Sequence, residues 1–168
     1  DGVAAAFAGE PRVLMISTHE EARWPFTGPL EDRTGLNLPL PKGANDSEFR
    51  LALEEVLLPA VQAFGPDAIV LQCGADAVTE DPLARLALSN NSHFACVSAL
   101  QRMATRLLVL GGGGYNPWSV GRLWSGVWAT LNGHELPAHL PEAARAVLGG
   151  LSWVRQRGPV PDYLLTTL

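Results

Sequence analysis

The sequence predicts an α/β domain in which helices cover both faces of a parallel sheet. Three observations carry that prediction. Short, wholly apolar runs alternate along the chain with longer segments of helical period. The apolar runs lack the alternation of a half-exposed strand, as expected of strands buried on both faces. Gly, Pro or polar clusters bound each run, as turns between such elements require. The 168 residues amount to about one domain, and 47% of them are hydrophobic, enough for one full core.

Taken in order, Arg12–Ser17 (RVLMIS) follows Pro11 and reads as the first buried strand. A polar, Pro- and Gly-rich stretch from Thr18 to Asn45 follows, long enough to be expected to carry function. From Asp46 the pattern turns helical, with Phe49, Leu53, Val56, Leu57, Ala60, Val61 and Phe64 on one face. Asn45 or Asp46 can cap this helix, Pro59 should kink or split it, and Gly65-Pro66 ends it. Ala68–Cys73 (AIVLQC) is the second strand and closes on Gly74-Ala75-Asp76. A helix is expected over Ser92–Met103 and a third strand over Arg106–Gly111, which runs into three further glycines and Tyr115. Pro117 suits the first turn of a helix reaching Leu131, with Trp124 and Trp128 on one face. A short helix is expected over Glu142–Leu148, within a Pro-rich extension 134–168 that follows the domain proper, 1–133.

Composition narrows the partners. Twelve basic and seventeen acidic residues give a net charge of −5 without a Lys/Arg cluster, which argues against direct nucleic-acid binding. Cys73 and Cys96 both lie in apolar runs and read as buried free thiols of a reducing compartment. The absence of a long apolar segment or a basic leader predicts a soluble, cytoplasmic protein without membrane contact. Asp1 is not a natural start, so the numbering is expected to begin inside a longer chain or after processing.

In an open parallel sheet ligands collect beyond the carboxyl ends of the strands. Here those ends carry Ser17-Thr18-His19, Gly74-Ala75-Asp76 and Gly111–Gly114 with Tyr115, so three strands nominate one rim. Read locally, Asp76 is equally a ligand-facing acid or a turn aspartate, whereas Tyr115 reads first as a core residue. The glycine run exposes backbone N–H groups but matches neither nucleotide-binding fingerprint, and no acidic residue follows at ribose-reading distance. His93, His134 and His139 read as surface residues of a helix and the tail, and His19 as a strand end near the rim.

VLQCGAD (Val70–Asp76), Asp81-Pro82, LGGGGYN (Leu110–Asn116) and GRLW (Gly121–Trp124), in this order and spacing, resemble the histone deacetylase superfamily. The opening DGVAAAF (Asp1–Phe7) and the strand ending in STH resemble the stretch just after that family's metal-ligand segment. HEEARWPFTGPLEDR and NPWSVGRLWSGVWATLNG most resemble bacterial acetoin-utilisation deacetylases, and the resemblance covers Asp1 to Gly133.

This resemblance implies the carboxyl-terminal part of an arginase/deacetylase-like three-layer fold. It also implies a zinc ion, held by two Asp and a His, that polarises an acetyl-amide carbonyl and activates water. Asp76 takes the position of the second metal aspartate. Tyr115 takes that of the tyrosine whose hydroxyl donates to the carbonyl and then to the oxyanion. Asp1 matches the carboxylate that orients a catalytic histidine. Trp24 and Leu83 match walls of the acyl-lysine tunnel, with Gly113 beside them on the substrate side. Phe7, Val13, Ser17 and Thr18 match positions of structural potassium sites, although the loop between Asp32 and Asn37 is shorter than in close relatives.

The implied first metal aspartate, metal histidine and catalytic histidine pair have no counterpart in the chain. The expected function is therefore that of a zinc-dependent deacetylase of an acetylated small molecule or protein, with this stretch inactive by itself. A non-catalytic assembly or binding module of the same superfamily is the alternative. Its apolar strands are expected to pair with the amino-terminal half of the protein or with a second copy.

Overall fold

The computed structural model of the chain describes residues 2–30 and 35–154. Its first elements are α1 (Gly2–Ala6), β1 (Ile16–Glu20), β2 (Leu36–Leu40), α2 (Asp46–Ala52), a π-helical turn (Leu53–Leu57) and α3 (Leu58–Phe64). There follow β3 (Ala68–Gln72), a 3₁₀ turn (Ala75–Ala77), α4 (Asn90–Leu100), β4 (Arg106–Leu110), α5 (Pro117–Leu131) and α6 (Glu142–Gly149). The strands form two parallel ribbons among the described residues, β1 with β2 and β3 with β4.

Local chemistry accounts for the helix boundaries. Asn45 caps α2 by accepting from the N–H groups of Ser47 and Glu48, while the Glu48 carboxylate accepts from the Asn45 N–H at 2.8 Å. Pro59 sits in the first turn of α3, where its absent N–H costs little, and the π turn before it absorbs the break in the ladder. Gly65 ends α3 with φ +62°, a conformation that favours glycine. Asn116 caps α5 from the side chain, and Pro117 opens it as expected.

Three expectations need correction. The first strand spans Ile16–Glu20 rather than Arg12–Ser17, and the stretch read as one long loop contains β2. Pro39 obscured that strand, yet it pairs with His19 in a two-stranded ribbon where its lack of an N–H is tolerated. The helix expected over Ser92–Met103 is Asn90–Leu100, because Ser89 caps it by accepting from the Asn91 N–H. Within the described residues the helices pack on one face of β3–β4. On β3 and β4, Ile69, Leu71, Leu107 and Val109 face the helices, while Val70 and Leu108 are 65% and 55% exposed.

Two apolar clusters hold the layers. Leu40, Ala44, Phe49, Leu53, Leu57, Leu86 and Leu88 pack α2 and the π turn against the β1–β2 ribbon. Cys73, Ala75, Val78, Val97, Leu123 and Val127 pack α4 and α5 against β3–β4. Within the second cluster Gly126 lets α5 approach α4: a Cβ there would run into the Phe94 ring. Gly126→Ala is therefore expected to destabilise by roughly 1–3 kcal/mol through overpacking. Its thermal midpoint should fall by several degrees in calorimetry, at about 2–4 °C per kcal/mol for a domain of this size.

One carboxylate ties the starts of α2 and α4 together. Asp46 accepts from the Ser89 N–H at 2.7 Å, from the Ser89 hydroxyl, and from the Ser92 hydroxyl at 2.6 Å. Burial pushes its pKa up, but these Ser89 and Ser92 hydrogen bonds outweigh it and leave the pKa below the ordinary carboxylate range. The folded state thus binds protons more weakly here than the unfolded chain. This stabilisation is complete above the ordinary carboxylate range and is lost as pH falls through the lowered value. Asp46→Asn is expected to cost about 1 kcal/mol at neutral pH, the carboxylate being only half-buried, and to flatten the acid limb of a stability–pH curve.

Candidate active site

Two of the three nominated strand ends border one cleft, whose lining does not include the glycine run or Tyr115. Thr18 of β1, the Gln72–Gly74 end of β3, Asp76 and His93 of α4 line a cavity of about 150 Å³ together with Leu71, Leu86 and Leu88. After β3 and β4 the two segments run on side by side: the Cys73 N–H donates to the Leu110 carbonyl at 2.8 Å, and the Ala75 N–H to the Gly113 carbonyl at 2.6 Å. This pairing brings the glycine run against the turn that bears Asp76.

Glycine is required there by space. A Cβ on Gly113 would overlap the Asp76 carboxylate, and one on Gly74 would lie 2.6 Å from Asp76 Oδ1. At Gly114, φ is +144° and a Cβ would lie 2.6 Å from Val120 and 2.8 Å from Ala75. Tyr115 follows directly and is 46% exposed. Gly113 thus packs directly against the carboxylate.

Asp76 is half-buried and forms no ion pair among the described residues. Burial raises its pKa and the charge of Asp81 adds to the rise, against opposing contributions from its own backbone N–H and from His93. Such a carboxylate is stabilised in its ionised form by a cation. Among the described residues, no three His, Cys, Asp or Glu side chains are grouped to hold a metal ion. These residues fit one ligand of a metal site and do not compose the site.

His93, read as a surface residue, is largely buried instead. Its Nε2–H donates to the Gly74 carbonyl at 2.9 Å, and burial lowers its pKa, so the ring is held neutral against the Asp76 turn. Cys73 and Cys96 line the same cleft, with burial pushing their thiols up to about 11 and about 12. They are free, as expected, and protonated at neutral pH. No helix among the described residues is long and apolar enough to cross a membrane.

Other candidates are more dispersed. Leu83 is 44% exposed, and its N–H donates to Asp81 Oδ1 at 2.8 Å. Trp24 is 80% exposed on the β1–β2 connection and does not line the cleft. Of the potassium-site candidates, Phe7 and Val13 lie in a turn closed by Glu10, which donates to the Phe7 carbonyl and accepts from the Val13 N–H. Thr18 lines the cleft, while the Ser17 hydroxyl bonds His19 Nδ1 at 3.0 Å and His19 Nε2 bonds the Gly28 carbonyl at 2.9 Å. Asp1 and the part of the short loop at 31–34 lie outside the described residues.

Sequence reading assigned no role to Asp81, Glu80 or Arg122, although two of the quoted motifs contain Asp81 and Arg122. Asp81 is buried and its Oδ2 accepts from the Tyr115 N–H at 2.7 Å. Glu80 and Arg122 form a well-covered ion pair at 3.2 Å that docks the same loop on α5. Trp124 donates its indole N–H to the Cys73 carbonyl at 3.0 Å, and Trp128 stacks on His134 with centroids 5.3 Å apart.

Parallel strands under helices, a cleft at their carboxyl ends and an acid set between glycines there define an α/β protein of the arginase/deacetylase class. Two solved structures share this fold over 99% of the chain and 48% of their own. They are an HDAC homologue from Aquifex aeolicus (TM-score 0.86, 35% identity) and an HDAC homologue complexed with SAHA (0.84, 34%). The histone deacetylase domain profile matches residues 1–131, and the chain belongs to that family. Among curated relatives, histone deacetylase 9 of Arabidopsis thaliana is 37% identical over 151 residues, covering 84% of this chain and 35% of that protein. Histone deacetylase RPD3 of Saccharomyces cerevisiae is 34% identical over 149 residues, covering 84% and 34%. The chain thus spans about a third of the length of these relatives and about half of the two homologue structures.

Proposed function

We propose that the protein is a zinc-dependent deacetylase of the acetoin-utilisation type, cytoplasmic, with this chain as its carboxyl-terminal half. In this reading it hydrolyses an acetylated amine such as acetyl-lysine, in a small molecule or a protein. The observation that carries the proposal is the half-buried Asp76 carboxylate, clasped by Gly74 and Gly113 beside Tyr115 at the carboxyl ends of β3 and β4. Bound zinc would supply polarisation of the acetyl carbonyl and a more acidic water. Asp76 contributes one anionic ligand and its orientation. Tyr115 donates its hydroxyl to the carbonyl oxygen as negative charge develops on it.

The exposed apolar face of β3–β4, with Val70, Leu108 and Leu110, supports a further part of the proposal: the amino-terminal half of the protein covers it. A second copy of the chain is the other occupant that would satisfy it. The test is hydrolysis of an acetyl-lysine peptide by the full-length protein, alongside its zinc content by elemental analysis. Turnover with one zinc per chain supports the enzyme. Protein that is folded, zinc-free and inactive would leave the non-catalytic module as the better reading.

A further inference from the structure

Asp81 is 7% exposed, and its carboxylate collects three backbone N–H groups from two distant parts of the chain. Oδ1 accepts from Leu83 at 2.8 Å and Ala84 at 3.2 Å, and Oδ2 accepts from Tyr115 at 2.7 Å across 34 residues of sequence. The surroundings are fixed as well. The preceding carbonyl, that of Glu80, accepts from the Asn116 side chain at 3.1 Å, while Asn116 Oδ1 caps α5. The Glu80 side chain pairs with Arg122 one turn into that helix. Tyr115 therefore stands between a glycine in a left-handed conformation and a capped helix, and its own N–H is tied to a buried carboxylate.

We propose that Asp81 is a positioning residue: one carboxylate sets the backbone of Tyr115 and of Leu83 together, fixing where the tyrosine hydroxyl can reach. The proposal rests on the deacetylase reading of Tyr115. The chemistry explains why an acid stands here. An ionised carboxylate is acceptor-only and satisfies donors on both oxygens, whereas an amide has one acceptor oxygen and one NH₂. In Asp81→Asn the oxygen is best placed toward Leu83 and Ala84, where it meets two donors. The NH₂ then faces the Tyr115 N–H and repels it, so the variant strikes the tyrosine selectively.

The experiment compares Asp81→Asn, Tyr115→Phe and the double variant in the zinc-loaded full-length protein with an acetyl-lysine peptide. Asp81→Asn is expected to keep its zinc and its KM while kcat falls roughly a hundredfold, as for a reacting group displaced by about 1 Å. The double variant should be no slower than Tyr115→Phe alone, because a displaced hydroxyl and an absent one are lost only once. Losses that multiply, zinc lost from Asp81→Asn, or parent kcat in that variant beside a slow Tyr115→Phe, would overturn the proposal and leave the reading of Tyr115 standing. Parent kcat in Tyr115→Phe would instead overturn that reading. Amide exchange of Tyr115 in the unsubstituted protein decides independently of any variant's folding: strong protection supports the carboxylate tie, and exchange at the rate of an open loop removes it.

Discussion

Tyr115→Phe in the full-length protein is expected to lower kcat for an acetyl-lysine substrate about a hundredfold to a thousandfold, the usual loss on removing one donor to a developing oxyanion. Zinc content and thermal stability should stay at parent values. Tyr115 is 46% exposed, so the change does not empty a buried packing position. The backbone hydrogen bond from Tyr115 to Asp81 is untouched by the change. Steady-state kinetics with elemental analysis of the same preparation makes the measurement, and turnover at the parent rate would return Tyr115 to a packing role.

Asp76→Asn is expected to abolish measurable turnover by a different route, through loss of the metal. An amide is a far weaker ligand for zinc than a carboxylate, and catalytic zinc sites use only three protein ligands. The metal-free variant should nevertheless be at least as stable as the metal-free parent. Burial, and after it the charge of Asp81, raises the Asp76 pKa in the fold, so its ionised form opposes folding at neutral pH. Zinc titration and thermal melts separate the two effects. Gly113→Ala belongs with this prediction, since its Cβ would displace the carboxylate of Asp76 and so weaken the metal without touching a ligand. The present chain, purified by itself, is expected to hold no stoichiometric zinc, because of the implied ligands it carries Asp76 alone. One tightly bound zinc per chain would place the site elsewhere.

Much of this architecture follows from local chemistry and was legible as such. The capping box at Asn45 and Glu48, Pro59 at a helix break, Gly65 in a left-handed cap and Pro117 opening α5 each act within a few residues. The apolar runs at Ala68–Gln72 and Arg106–Leu110 marked β3 and β4 because a continuous apolar run of that length fits a parallel strand. LNLPL did not reveal β2, because Pro39 argues against a strand until its neighbour is known. The rim itself was foreseeable, since parallel strands must end on one side.

The sequence by itself determined the α/β class, the alternation of elements and the pairing of an acid with a glycine run at one sheet rim. Tertiary structure alone decided what touches those residues. That Gly113 leaves room for the Asp76 carboxylate, that His93 turns inward to the Gly74 carbonyl, and that Asp81 holds the Tyr115 N–H are contacts between residues 19 to 37 positions apart. Periodicity and propensity report the surroundings of a residue through its neighbours in sequence. A buried polar group is instead matched by whichever donor or acceptor folding brings within about 3 Å, and that partner is set by the packing of whole elements. The open apolar face of β3–β4 belongs to the same category: strands apolar on both sides were readable, but which side the helices cover was decided only when α4 and α5 packed on Leu71 and Val109.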